Sequence, residues 1–385
     1  VLFRSKEDSE RRFIMKRFTA LLLACCMMFG LYVPAQAAGS GMDNFQKAET
    51  YNGQFADIDA GYWAASSVKL CYEYGLMKGA SATAFNPKGD LTVAEAIVMA
   101  DRIHEIYHTG KSTLNNGDPW YQPYVDYAMK NGLIAQGDFS SYTAKATRAQ
   151  MAYLFCNALP QGTLVEINSI SSIPDVSASH PYAKEIQALY KAGVLTGSDM
   201  YGTFNPDSNI IRAEAAAILS RVALPNQRKD VVLMKTFTQG NVTLAMPQSA
   251  EVNAAGDMYD VYSVVSAKEK VIGMISGYSD PSFQGVDISA LPQSTINSLI
   301  VNAFANTQTP VSGIQSAAVK FGALNAYRST GTMMVSGVGM DCIIYTYISG
   351  NTLNMICLLA NNNDAVLTNM ANGIRIGGSA PSPLL

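Results

Sequence analysis

Histidine is almost missing from this chain, with three residues in 385 and none after position 230. That scarcity excludes a Ser-His-Asp or Cys-His catalytic arrangement within the C-terminal part. The six cysteines form no Cys-x-x-Cys pair, so zinc-site material is lacking as well. His104 and His108 stand four apart without a clustered third ligand and read as ordinary helix positions. No metal and no cofactor is expected. Charge is sparse too: 15% of residues are charged, with 27 basic against 30 acidic side chains, a net charge of −3 and a pI near 5.7. A broad basic face for nucleic acid is therefore excluded. After residue 38 no apolar run approaches the roughly 18 residues that suggest a membrane span.

What is present begins with a leader. Met15 to Ala37 runs from Met-Lys-Arg through an apolar stretch to Pro34-Ala35-Gln36-Ala37, the order of a secretory signal. Val1 to Ile14 are charged and precede that methionine, so residues 1–37 are set apart as upstream sequence and signal peptide. Reading Leu22-Leu23-Ala24-Cys25 as a lipoprotein site is the alternative, but the apolar segment continues past Cys25. From residue 38 onward 21 basic face 27 acidic residues, a net charge of −6. An exported chain of that charge is expected to carry no bilayer anchor after cleavage, and any hold on anionic wall polymer to be local. Cys71 and Cys156 sit at helical spacing among apolar residues, as buried thiols do. Cys342 and Cys357 flank a Ser-Gly-Asn turn at 349–351, which leaves both a disulfide and two thiols open.

Self-comparison reveals three units. The first contains Asp57, Trp63, Gly75, Gly79, Phe85-Asn86-Pro87 and Thr92-Val93-Ala94-Glu95. The second contains Asp118, Trp120, Gly132, Gly137, Tyr142 and Thr147-Arg148-Ala149-Gln150. The third contains Asp175, Tyr182, Gly193, Gly197, Phe204-Asn205-Pro206 and Ile211-Arg212-Ala213-Glu214. Each predicts a helix, a glycine stop, an irregular loop and a second helix. Thr92 with Glu95, and Thr147 with Gln150, predict capping boxes, while Ile211 leaves Glu214 without its hydroxyl partner. Capping does not explain Arg148 and Arg212 at the first helical position, where a cation opposes the macrodipole. A guanidinium beside free helix amides suits an anion, although a solvated or acid-paired arginine fits the same pattern. Trp63, Trp120 and Tyr182 open the first helices, either as core rings or as platforms for a sugar.

These units resemble S-layer homology motifs over about 170 residues, from Phe55 to Ala223, at residues 51–107, 113–160 and 170–224. The resemblance implies an all-α, three-lobed pseudo-trimer of helix-loop-helix repeats around a central bundle. It also implies grooves between lobes that bind secondary cell-wall polysaccharide, often through a pyruvate carboxylate. Carried over, the polysaccharide-binding set is Arg148, Arg212, Asp57, Asp175, Trp63, Trp120 and Tyr182. Val93 replaces the arginine in the first unit, so at most two working grooves are expected.

A linker at 225–230 leads to residues 231–378, which read as a separate α+β domain with a mainly antiparallel sheet. Strands are expected at 231–237, 241–246, 258–265, 271–276, 322–328, 334–349 and 352–359, with helices at 294–305 and 364–372. The element order is similar to the Mog1/PsbP-like fold. Asp257 and Asp260 form its one candidate acid pair, more simply a surface turn. The implied protein is secreted, lodged at the cell wall or S-layer, and not an enzyme by any feature found. A tethered extracellular hydrolase and a small structural surface-layer component are the rival readings.

Overall fold

The computed structural model describes residues 41–254, 262–305 and 309–383. The expected upstream segment and signal peptide and the Asp257/Asp260 pair lie outside the described residues. Two compact units divide between Val231 and Val232.

In the helical unit, three short first helices alternate with three second helices. They are α1 (Ala65–Glu73), α2 (Val93–Thr109), α3 (Gln122–Lys130), α4 (Arg148–Asn157), α5 (Ala183–Lys191) and α6 (Arg212–Ala223). Nine residues are too few for a helix to hold by itself in water, so α1, α3 and α5 depend on buried faces such as Val68 and Cys71, Val125 and Ala128, or Ile186 and Leu189. Gly75, Gly132 and Gly193 follow these helices at φ of 68°, 74° and 73°, the left-handed cap that stops each run. The second helices are buried nearly all round. Helix α6 is rich in alanine, which lets α1 approach until the Cys71 thiol donates to the Ala216 carbonyl at 3.2 Å.

Every second helix starts against the loop of another unit. The first two amides of α2 donate to the carbonyls of Ala144 and Tyr142, those of α4 to Ser208 and Pro206, and those of α6 to Gly89 and Pro87. Single β-bridges follow the same order, Thr92 with Lys145, Thr147 with Asn209, and Asp90 with Ile211. The first unit leans on the second, the second on the third, and the third on the first. The amides that a helix start leaves without partners are thus satisfied from outside the helix.

The C-terminal unit is α+β and antiparallel throughout. Its strands are β1 (Met234–Gln239), β2 (Val242–Pro247), β3 (Glu251–Ala254), β4 (Tyr262–Ser266), β5 (Val271–Ser279), β6 (Val311–Phe321), β7 (Leu324–Val335), β8 (Val338–Ser349), β9 (Thr352–Ala360), β10 (Arg375–Ile376) and β11 (Pro381–Pro383). Two helices accompany them, α7 (Gln293–Phe304) between β5 and β6, and α8 (Asp364–Gly373) after β9. Eight strands form one sheet in the order β11-β6-β7-β8-β9-β5-β4-β3, and β1-β2-β10 form a second. Ile296, Ile300 and Phe304 of α7 pack on Met274, Met333, Ile344 and Leu359 of the large sheet. At Gly273 a Cβ would fall 2.7 Å from the Met246 sulfur, so the bare backbone there admits β2.

Two expectations need correction, and one question left open is decided. The strand expected over 334–349 is two strands, because Ser336 and Gly337, at φ of 50° and 80°, form a two-residue turn between β7 and β8. Strand β6 lay outside the expected set: along Val311–Phe321 the buried positions do not alternate evenly with exposed ones, and the pairing with β7 shifts register between Ser312 and Gln315. Cys342 and Cys357 are free buried thiols. They lie on adjacent strands, but Cys342 faces Leu359 and Cys357 faces Ile344. Such diagonal neighbours stand roughly 7 Å apart, whereas a disulfide needs Cβ atoms about 4 Å apart.

Candidate functional site

The two arginines singled out by the sequence occupy matching places. The Arg212 Nε donates to the Phe85 carbonyl at 2.8 Å and its Nη2 to the Lys78 carbonyl at 2.7 Å, with the guanidinium 4.8 Å from the centre of the Phe85 ring. The Arg148 Nε donates to the Phe204 carbonyl at 2.7 Å, and that guanidinium lies 5.1 Å from the Phe204 ring. Each therefore reads the Phe-Asn-Pro loop of another unit. Arg148 is also paired with Glu214 at 3.3 Å, whereas Arg212 is 9% exposed and lies on the wall of a cleft of about 190 Å³. Burial pulls the Arg212 pKa below its ordinary value, and the Glu95 and Asp57 carboxylates oppose that pull.

Sequence reasoning pictured these guanidiniums beside free helix amides. The structure corrects this. The first two amides of α4 and α6 are taken by loop carbonyls, and in α4 the third amide goes to the Thr147 hydroxyl. The side chains of Arg212 and its neighbours, and not the helix terminus, are what this cleft offers to an anion.

Those neighbours come from all three units. Lys78, Glu95 and Arg102 belong to the first, Trp120 and Tyr124 to the second and Arg212 to the third. Trp120 is 40% exposed, a large ring left open to solvent in the wall of a charged cleft. Trp63 is 60% exposed against Tyr62, and Tyr182 stacks on Tyr153 of the second unit with centroids 4.9 Å apart. Val93 is buried at the start of α2.

The opening aspartates lock loops. Asp57 accepts the amides of Phe85 and Asn86 at 2.8 and 2.7 Å, and Asp175 accepts those of Phe204 and Asn205 at 2.9 and 2.6 Å. Both asparagines sit at positive φ, 58° and 57°, a conformation that the clamp holds. For Asp57, burial pushes the carboxyl pKa up, but the two amides together with Arg212 hold it below the usual range. Both capping boxes are formed, Thr92 with Glu95 and Thr147 with Gln150. At Ile211 half a box remains: the Glu214 carboxylate accepts the Ile211 amide at 3.3 Å.

Arg102 is the residue that sequence reasoning missed. It lies inside the helical run of α2, where no motif marks it, and lines the same cleft as Arg212. His104 and His108 stack 4.4 Å apart on that helix, with His104 hydrogen-bonded to the Tyr127 hydroxyl. Among the described residues no group of three His, Cys, Asp or Glu is placed to hold a metal, and no helix is long and apolar enough to cross a membrane.

Residues 54–97 and 172–216 match the S-layer homology domain, so the chain carries this domain in its first and third units. Over 221 residues, 56% of this chain and 25% of the relative, it is 24% identical to the S-layer protein sap of Bacillus anthracis. Over 360 residues, 88% of this chain and 41% of the relative, it is 22% identical to an S-layer protein of Bacillus thuringiensis subsp. finitimus. An endoglucanase of a Bacillus species is 25% identical over 213 residues, 54% of this chain and 22% of the enzyme. The chain thus spans between about a fifth and two fifths of the length of these relatives. A solution structure of cyanobacterial PsbP from Synechocystis aligns with 37% of this chain and 92% of its own, at 9% identity and a TM-score of 0.30. The domain match and the S-layer relatives indicate a secreted, cell-surface protein tethered to the cell wall.

Proposed function

We propose that the helical unit anchors the protein non-covalently by binding secondary cell-wall polysaccharide, with a pyruvate ketal or similar acidic group on the sugar seated at Arg212. The cyclic order in which each second helix leans on another unit's loop supports a pseudo-threefold prism with a groove at each junction. The observation that carries the reading is the cleft where Arg212, Arg102 and Lys78 meet a half-open Trp120. Three cations beside one carboxylate, Glu95, favour an anion, and an indole face suits the C–H face of a sugar ring.

In this reading Arg212 contacts the acidic group, Trp120 carries the sugar, and Asp57 and Asp175 act as positioning residues that hold the loops carrying the arginine-binding carbonyls. Trp63 and Tyr182 would serve the corresponding junctions. The Arg148 groove is the weaker of the two, because Glu214 already partners its guanidinium, and Val93 leaves the third junction without a cation. The C-terminal unit is then displayed outside the membrane. A second reading, a wall-tethered hydrolase, draws on the endoglucanase that shares this region; release of reducing ends from wall glycan by the purified chain would favour it.

The test is retention of the full chain on purified wall sacculi. Trp120→Ala, an exposed position whose loss spares the core, is expected to cut retention at least tenfold, and extraction of the polysaccharide to abolish it. Retention that survives both treatments would sink the proposal.

A further inference from the structure

Behind Arg102 lies a second, larger cleft of about 1070 Å³, wholly within the helical unit. Lys78, Gly79, Arg102, Asn116 and Tyr124 line both it and the Arg212 cleft, so the two openings abut. Its size is at the top of the range of roughly 300–1,000 Å³ for small-molecule sites, well beyond what one acidic sugar fills.

Arg102 stands at the junction. One guanidinium nitrogen donates to the Leu76 carbonyl at 3.2 Å, the same bond that Asn157 makes to Leu133 and Arg221 to Val194 in the other units. That recurring bond accounts for a polar group at the position in every unit; in the first unit the group is also part of the wall between two clefts. Arg102 and Arg212 stand near enough to oppose each other's charge, a repulsion that an anion between them would relieve.

The walls of the large cleft are polar and aromatic together. Gln54, Tyr72 and Tyr74 face Ser112, Thr113 and Asn115 of the connection between α2 and α3. The connection is pinned in place: the buried Glu105 carboxylate accepts from the Ser112 hydroxyl at 3.0 Å, the Thr113 amide at 3.0 Å and the Thr113 hydroxyl at 2.8 Å. Rings for C–H faces, side-chain amides of Gln54 and Asn115 that can donate, and Ser112 and Thr113 hydroxyl oxygens left to accept, match the hydroxyl-bearing residues of a saccharide chain.

We infer that this cleft is a second subsite that takes the sugar residues following the acidic one, with Arg102 bridging the two, so that the protein reads an oligosaccharide and not a single terminal sugar. The inference rests on the polysaccharide reading above.

Calorimetric titration of the full chain with a pyruvylated monosaccharide and a pyruvylated tetrasaccharide, both released from secondary wall polysaccharide, separates the two claims. The tetrasaccharide is expected to bind at least tenfold more tightly. The double variant Tyr74→Ala/Asn115→Ala should lose that gain while binding the monosaccharide as before, which also shows that the Arg212 cleft is still folded. Arg102→Gln should weaken both. Equal affinity for the two fragments, with monosaccharide binding still dependent on Trp120, overturns the second subsite and leaves the anchoring reading intact. Absence of binding by either fragment overturns both.

Discussion

Single residues in the first cleft carry two duties at once. Arg212 ties two carbonyls of the first unit and also faces the cleft, so its removal tests folding together with binding. Leaving the Phe85 and Lys78 carbonyls without their charged donor is expected to cost about 3 kcal/mol in Arg212→Ala, read from urea denaturation, whereas Trp120→Ala should change stability little. Asp101 is a different case. It is fully buried on α2, both carboxyl oxygens lack a hydrogen-bond partner, and burial together with Glu105 raises its pKa to about 8. The unfolded chain gives up this proton near pH 4, while the folded protein holds it to about pH 8. Stability therefore falls as pH rises through that window and levels off above it. Asp101→Asn should flatten the decline and be the more stable form at pH 9, checked by urea midpoints at pH 5, 7 and 9.

At the scale of elements, much was legible because caps and turns are local chemistry. Thr92, Glu95, Thr147 and Gln150 form the boxes that their spacing announces, and the repeated glycines end the helices. Thr147→Ala should cost about 1 kcal/mol, and Ile211→Thr should return up to about as much, since Glu214 already bonds the Ile211 amide; thermal unfolding reads both. Strand β6 was not legible, because the register shift between Ser312 and Gln315 breaks the regular alternation of apolar and polar residues. The turn at Ser336-Gly337 had a recognisable signal, a Ser-Gly pair between apolar runs, that a longer strand absorbed. Alkylation in denaturant without reductant should label both Cys342 and Cys357, as their diagonal register requires.

Across the whole molecule, the cleft exists only because the units exchange contacts in a cycle. Within the first unit, Gly79 marks how tightly the loop beneath the cleft is folded: a Cβ there would lie 2.3 Å from the Ser81 carbonyl oxygen and 2.8 Å from that of Ala84. Gly79→Ala should therefore displace the loop that carries the Lys78 carbonyl and reduce wall retention with the Gly75 helix stop unaltered, measured by sacculus binding beside circular dichroism. Sequence by itself determined the repeat, the helix limits, the caps and the pair of arginines, since these follow from hydrophobic period and hydrogen bonds between residues a few positions apart. Tertiary structure decided what those arginines touch. Helix amides that look free along the chain meet carbonyls from another unit, 127 residues separate Arg212 from Phe85, and Arg102 joins the cleft from the interior of a helix whose only motif lies at its start. Pairings across such distances are set by how the units close on one another, and no local pattern encodes them.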